Sequence, residues 1–251
     1  MDAASRLRAA ATEVAALRAL EAVDPDVRER REALRAWQAQ RLAFTHADLL
    51  ADRRYARAAA FFLDELYGAK DFSQRDRELD RVIPTLARFL PEAALQTIAD
   101  AVELDALSER LDLATARALV ADPRARGRPI DDPAYARAYR RAGSRVDRER
   151  QIELIDHIGG ALDRLVKHPL LGGLLRAMEG PARLAGLTAM HEFLQSGFAA
   201  FRHMGGASIF LQRVRERETA LMRRLFAGDD ADPDPIGRAA AGADPRRAGQ
   251  A

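Results

Sequence analysis

At residues 61–68 the chain reads Phe-Phe-Leu-Asp-Glu-Leu-Tyr-Gly, from Phe61 to Gly68. Five of the first seven residues are large and apolar or aromatic, and Gly68 suits the left-handed conformation in which many helices end. Ser73, followed by Asp76 three residues later, marks the start of a second helix as a variant of the capping box. We therefore predict two helices joined by a turn and packed in a hydrophobic core, which is an architecture and not a reaction.

The rest of the chain repeats this helical pattern. Apolar residues recur about every 3.6 residues, and no alternating run bounded by hairpin signals indicates a strand. We predict an all-α fold, a single multi-helix bundle of about eight helices. Its approximate helical spans are 4–22, 25–44, 55–67, 73–90 with an interruption at Pro84, 92–120, 133–166, 169–178, 181–203 and 207–226.

The pattern divides the chain into three parts. Residues 1–23 are predicted to form an amphipathic N-terminal helix, and residues 24–227 a helical domain. Residues 122–133 hold three prolines and one glycine, and are the candidate internal boundary. Residues 228–251 hold five aspartates and three prolines, so too little apolar surface can be buried to offset ordering, and we expect a disordered tail.

The composition excludes several function classes. The chain has no cysteine, which excludes disulfides, thiolate metal sites and thiol catalysis. Forty basic residues nearly balance 38 acidic ones, so binding to nucleic acid is not expected from overall charge. The apolar runs are too short to span a bilayer, and the N-terminal residues lack the apolar block of a signal peptide. We therefore expect a cytoplasmic protein without a membrane segment.

One set of acidic and histidine residues could bind a metal, haem or another small ligand. Glu153 and His157 lie four residues apart, on one face of a helix. No Glu-x-x-His motif of a di-iron bundle is present, and His191 begins a zincin-like motif that has Gln195 where the second histidine is required. We predict no cofactor, and ordinary helix residues are the alternative interpretation. The candidates for ligand binding are Asp64, Glu65, Glu153, His157 and His191.

A second candidate is a group of arginines. Arg137, Arg141, Arg145 and Arg148 recur at spacings of four, four and three on a helix predicted to start at Pro133. One such stripe could bind an anion, an acidic partner or nucleic acid. The alternative is a solvated face paired with acidic residues of a neighbouring helix.

Paired glycines interrupt a predicted helix at Gly159 and Gly160. Each glycine inside a helix costs about 1 kcal/mol relative to alanine. We therefore expect either a close approach of a second helix or a kink at this point.

The residues of the opening stretch also carry a family resemblance. Phe61-Phe62-Leu63-x-x-Leu66-Tyr67-Gly68, together with Asp71-Phe72, Arg75-Asp76 and Ile83-Pro84, resembles an FFL-x-x-LYG motif of a bacterial family of uncharacterised helical proteins. The segment from Phe198 to Gly206 is similar too, so the likeness covers roughly residues 25 to 227. It implies a single helical domain and no activity, cofactor or catalytic residue.

Without a coherent catalytic set, the sequence favours a non-enzymatic protein that acts as an interaction or scaffold module, as a homodimer or with a protein partner. The first alternative is a helical bundle that binds a metal, haem or small ligand. The second is a protein that binds nucleic acid or an acidic partner through the stripe from Arg137 to Arg148.

Overall fold

The computed structural model describes residues 2–21, 24–65, 83 and 92–238. Within these ranges the chain forms α-helices and no strand, which confirms the predicted all-α fold. The helices are α1 (Ala3–Glu21), α2 (Pro25–Thr45), α3 (Ala47–Ala51), α4 (Ala56–Glu65), α5 (Glu92–Ala121), α6 (Asp132–Ala142), α7 (Arg145–Leu165), α8 (Leu171–Ala177), α9 (Glu179–Leu184), α10 (Thr188–Met204) and α11 (Ser208–Ala227). None of them combines the length and apolar character required to cross a lipid bilayer.

The start of α2 follows directly from its sequence. Asp24 has an extended backbone, and its carboxylate accepts hydrogen bonds from the backbone N–H groups of Asp26 and Val27. Pro25 lies in the first turn, where its missing N–H leaves no hydrogen bond unmade. The predicted start at Pro25 is therefore confirmed.

The single long helix predicted for residues 133–166 is wrong, because the chain breaks between α6 and α7. Gly143 is extended at the break, and Ser144 caps α7 by accepting a hydrogen bond from the amide of Asp147. Ser144 and Asp147 repeat the spacing of Ser73 and Asp76. The signal for this helix start was therefore present in the sequence.

The helix predicted for residues 181–203 is also divided. Gly186 has a φ of +69°, and the amide of Leu187 donates to the carbonyl oxygen of Ala182 at 2.8 Å. This is the six-to-one hydrogen bond of a Schellman motif, which ends α9 and lets α10 start in a new direction.

Helix α5 is the centre of the bundle. It packs against α1, α2, α6 and α7, and it buries leucines and alanines along most of its length. Trp37 of α2 packs beside it and stacks on Tyr135 of α6, with 4.0 Å between the ring centroids.

The described part of the opening stretch packs as predicted. Phe61 is buried, and its ring lies 5.5 Å from that of Phe193. Phe62 contacts the rings of Phe201 and Phe210 at centroid distances of 6.0 and 5.8 Å. These contacts join α4 to α10 and α11. Leu66, Tyr67, the predicted cap at Gly68, the capping box at Ser73 and the interruption at Pro84 lie outside the described residues.

The segment 122–133 is tied into the core. The Asp122 carboxylate accepts a hydrogen bond from Nε of Arg137 at 2.8 Å, and both side chains are buried. Ala125 belongs to the same hydrophobic cluster as Leu119 before the segment and Ala134 after it. Residues on both sides of the candidate boundary thus share one core.

The first part of the segment 228–251, for which we predict a disordered tail, contacts the helical domain. Residues 228–238 lie against α6, where Arg140 donates to Asp230 at 2.7 Å and Arg238 donates to Asp132 at 2.8 Å. Ile236 packs against the core. These contacts anchor an acidic segment through charge pairing, which its low apolar content did not indicate. Residues 239–251 lie outside the described residues.

Gly159 lies at a close approach of two helices, which is one of the two explanations that the sequence left open. A Cβ atom there would collide with the Leu211 side chain of α11, whereas at Gly160 it would meet nothing nearer than Arg164 at 3.7 Å. Gly160→Ala is therefore expected to raise the free energy of unfolding by about 0.5–1 kcal/mol. Gly159→Ala is expected to lower it by roughly 1–2 kcal/mol, because Leu211 is buried and has little room to move. Urea denaturation measures both changes, and equal stabilisation by the two variants would contradict the close approach.

Candidate ligand-binding site

The predicted acidic and histidine candidates have different environments. Asp64, Glu153 and His157 are exposed, whereas His191 is buried and its Nε2 has no hydrogen-bond partner among the described residues. The side chain of Glu65 is outside the described set. No group of three or more histidine, aspartate or glutamate side chains suited to a metal ion occurs in the described ranges.

The four predicted arginines are divided between two helices by the break at Gly143. Arg141 and Arg145 are exposed, and lie near Asp230 and Glu149 respectively. Arg137 and Arg148 are buried. The predicted single stripe is therefore not one surface in the structure, and Arg148 instead lines an internal cavity.

This cavity has a volume of about 130 Å³ and lies among α2, α4, α5, α6, α7 and α11. Three hydrophobic clusters reach its wall, one around Met222, one around Phe210 and one that Ile155 packs against. Phe62 and Leu63 of the opening stretch also line it. The described residues that line the cavity do not include Asp64, Glu153, His157 or His191.

The lining of the cavity also contains polar side chains, and the first of these form a three-residue network. Nη1 of Arg41 donates to both carboxylate oxygens of Glu218, at 2.6 and 2.7 Å, and Nε2 of His46 lies 3.0 Å from Oε1 of Glu218. Burial by itself would raise the pKa of Glu218, but the charge of Arg41 and the hydrogen bond with His46 outweigh it and lower the pKa to about 2. Glu218 is therefore a carboxylate at neutral pH.

A second network surrounds Glu109, whose side chain is only 6% exposed. Its carboxylate forms ion pairs with Arg18, Arg31 and Arg35, of which Arg31 is completely buried. The network ties α1 and α2 to α5. Both Glu109 and Arg35 line the cavity.

Arg148 supplies the third part of the polar lining. Arg148 is only 4% exposed, and its guanidinium carbon lies 4.3 Å from the centre of the Tyr139 ring. Its Nη1 donates to Gln151 at 3.3 Å and its Nη2 to Thr115 at 3.2 Å, both neutral acceptors. Tyr135 and Tyr139 line the cavity beside it. Burial raises the pKa of both tyrosines, so both hydroxyls remain protonated at neutral pH.

His46 and Glu218 resemble the base and orienting carboxylate of a catalytic triad. However, Nδ1 of His46 is buried without a hydrogen-bond partner among the described residues. Ser108 lines the cavity, but its hydroxyl accepts a hydrogen bond from Gln151. Among the described residues, His46 and Ser108 are not joined by a hydrogen bond.

Most of this site is not predictable from the sequence, although one signal is present. Arg31, Gln38 and Arg41 occur at spacings of seven and three, on the same helical face as Leu34. All four are buried. Polar residues on the apolar face of a helix are expensive to bury without partners. They therefore indicate an internal polar site.

Comparison with known proteins gives a family and no function. No curated protein and no solved structure matches the chain. The model of the family described as a domain of unknown function, DUF8198, matches residues 17–232. The expected membership of an uncharacterised family is thus confirmed, and the chain belongs to the DUF8198 family.

Proposed function

We propose that this protein binds a small, partly apolar molecule in its central cavity. The observation that carries the proposal is the cavity itself, whose lining combines apolar and polar side chains at a point that three hydrophobic clusters reach. Ligand sites in proteins combine these two kinds of lining, because apolar surface provides affinity and a few polar groups fix orientation.

The size of the cavity supports the same proposal. Protein interiors are close-packed, and an empty cavity costs about 24 cal/mol per Å³. A volume of about 130 Å³ is therefore a gap in the packing, and a bound molecule would restore contacts to the side chains that line it. Water can form hydrogen bonds with the polar side chains of the lining, but it restores few of the packing contacts that the apolar side chains lack. An engineered apolar cavity of about 150 Å³ binds benzene, so a ring or short aliphatic chain is the expected size of the ligand.

Filling the cavity from within tests this function. Val214 lines the cavity, and Val214→Phe is expected to weaken the binding of small probes by about tenfold or more, because the new ring occupies their space. The probes are fluorobenzene and para-fluorobenzamide, and binding to the full chain is followed by fluorine NMR. Val146→Phe is the matched control, since Val146 is 72% exposed and makes the same exchange outside the cavity.

The two variants distinguish the candidate functions. Binding that Val146→Phe preserves and Val214→Phe removes supports the cavity. Circular dichroism establishes that both variants are folded. If no probe of fitting size binds the wild-type chain, or if Val214→Phe leaves binding unchanged, the ligand-binding function is overturned. The interaction or scaffold module predicted from the sequence then becomes the leading proposal.

A further inference from the structure

Arg148 differs from two other buried arginines of the described residues, Arg41 and Arg137. Arg41 pairs with Glu218 at 2.6 Å, and Arg137 pairs with Asp122 at 2.8 Å. Arg148 is equally buried, but no carboxylate of the described residues lies within ion-pair distance of it. Of the five N–H donors that a guanidinium carries, two bond to neutral acceptors, and Nε has no partner among the described residues.

An unpaired charge in this position is costly. Removing a charge from water costs several kcal/mol unless a counter-charge and hydrogen bonds replace the water. Arginine cannot escape the cost by losing its proton, because its pKa is too high. The contact with the Tyr139 ring and the two neutral hydrogen bonds offset part of this cost, and a negatively charged ligand would offset the rest.

The groups beside Arg148 suit an anionic partner. Tyr135 and Tyr139 line the cavity, and the Tyr139 ring lies against the guanidinium of Arg148. A phenol O–H and the flat fork of a guanidinium are both donors to a carboxylate, and the fork can bind its two oxygens at once. One unpaired guanidinium compensates one negative charge, which favours a carboxylate over a doubly charged phosphate.

We propose that the ligand of this cavity is a small monocarboxylate with an apolar body, and that Arg148 is the residue that binds its carboxylate. The proposal rests on the ligand-binding function given above. The apolar body lies against the wall formed by residues such as Phe62, Val214 and Met222. The carboxylate lies at Arg148, within reach of the tyrosine hydroxyls.

The carboxylates that line the cavity determine whether a positively charged ligand could bind there instead. Glu109 and Glu218 are already paired with arginines, and Asp105 pairs with Arg18. Asp112 has no ion pair among the described residues, and it accepts a hydrogen bond from Gln38 at 3.0 Å. An amine that pairs with Asp112 is therefore the competing ligand. This alternative predicts that para-fluorobenzylamine binds more tightly than para-fluorobenzoate, and that Asp112→Asn abolishes the binding of the amine.

The first test measures stability without ligand. Arg148→Met retains the apolar stem and removes the unpaired charge, so the melting temperature is expected to stay unchanged or rise. Arg137→Met is the matched control, because the same change at an equally buried but paired arginine leaves Asp122 without its partner. It is expected to lower the melting temperature by several degrees. A decrease in Arg148→Met as large as that in Arg137→Met would assign Arg148 a structural role and overturn the proposal.

The second test measures charge preference with probes of equal shape. Para-fluorobenzoate is expected to bind the wild-type chain about 10- to 100-fold more tightly than para-fluorobenzamide. Arg148→Met should abolish this preference and leave the binding of the neutral amide unchanged. Arg148→Lys should restore part of the preference, since it keeps the charge without the planar fork. Asp112→Asn should strengthen benzoate binding by removing a negative charge from the lining of the same cavity.

The outcomes separate this inference from the function on which it rests. If the amide and the benzoate bind equally well and both are sensitive to Val214→Phe, the cavity binds ligands but Arg148 does not select a carboxylate. A preference for para-fluorobenzylamine would likewise mean that the cavity binds ligands but that Arg148 does not select a carboxylate. If no probe binds, the ligand-binding function itself fails.

Discussion

Replacing Glu109 with glutamine is expected to lower the free energy of unfolding by about 3–5 kcal/mol, the usual cost of removing one partner of a buried ion pair. The Glu109 side chain is 6% exposed and pairs with Arg18, Arg31 and Arg35. Its neutralisation leaves three guanidinium groups close together around a neutral amide. Arg31 is completely buried and cannot move into solvent without opening the contact between α2 and α5.

Urea denaturation of the full chain measures this effect. Glu149→Gln is the control, because Glu149 forms an exposed ion pair with Arg145. Such pairs contribute about 0–1 kcal/mol. If Glu109→Gln and Glu149→Gln have the same small effect, the network around Glu109 is not a structural joint between α1, α2 and α5.

Replacing Glu218 with glutamine is expected to remove a pH-dependent part of the stability. Arg41 and His46 lower the pKa of Glu218 from its ordinary value of 4.5 to about 2, despite burial. A lowered pKa in the folded state means that the ionised form stabilises the fold. The stabilisation is complete above pH 4.5 and decreases as the pH falls toward about 2. The change corresponds to roughly 3 kcal/mol at neutral pH.

The free energy of unfolding should therefore differ most between wild type and Glu218→Gln at neutral pH, and the difference should shrink below pH 4.5. Asp48 also has its pKa lowered to about 2, by Arg217, but it is present in both proteins and its contribution cancels in the comparison. Glu216→Gln is the control on the same helix, where Glu216 is exposed. A stability difference for Glu218→Gln that does not change with pH would contradict the lowered pKa.

Local signals in the sequence predicted the fold well. Asp24 and Pro25 identified the start of α2, and the apolar spacing from Glu92 identified α5 almost to its last residue. The errors occurred where a helix changes direction without a proline, at Gly143 and Gly186. A glycine inside a helical pattern can be a break or a place where another helix approaches, as at Gly159. The pattern on one chain segment does not distinguish the two.

The candidate site was much less predictable from the sequence. Arg137 and Arg148 belong to the same arginine-rich segment, and nothing local shows that one is paired and the other is not. The difference arises because Asp122 reaches Arg137 from another segment, whereas Arg148 faces neutral side chains and the cavity. Such pairing depends on tertiary packing. Within the part of the chain that the structure describes, the polar residues Arg31, Gln38 and Arg41 on the apolar face of α2 could have indicated an internal site in advance.

The stacking of Trp37 on Tyr135 places the intrinsic fluorophore of the protein next to a residue that lines the cavity. Trp37 is the one tryptophan in the sequence, so all tryptophan emission comes from a single, largely buried position. Tyr135 is in contact with its ring on one side and lines the cavity with its own side chain. A molecule in the cavity is thus separated from the Trp37 ring by the Tyr135 ring alone. The unlabelled protein can therefore report the occupancy of its cavity and the unfolding of its core through the same emission.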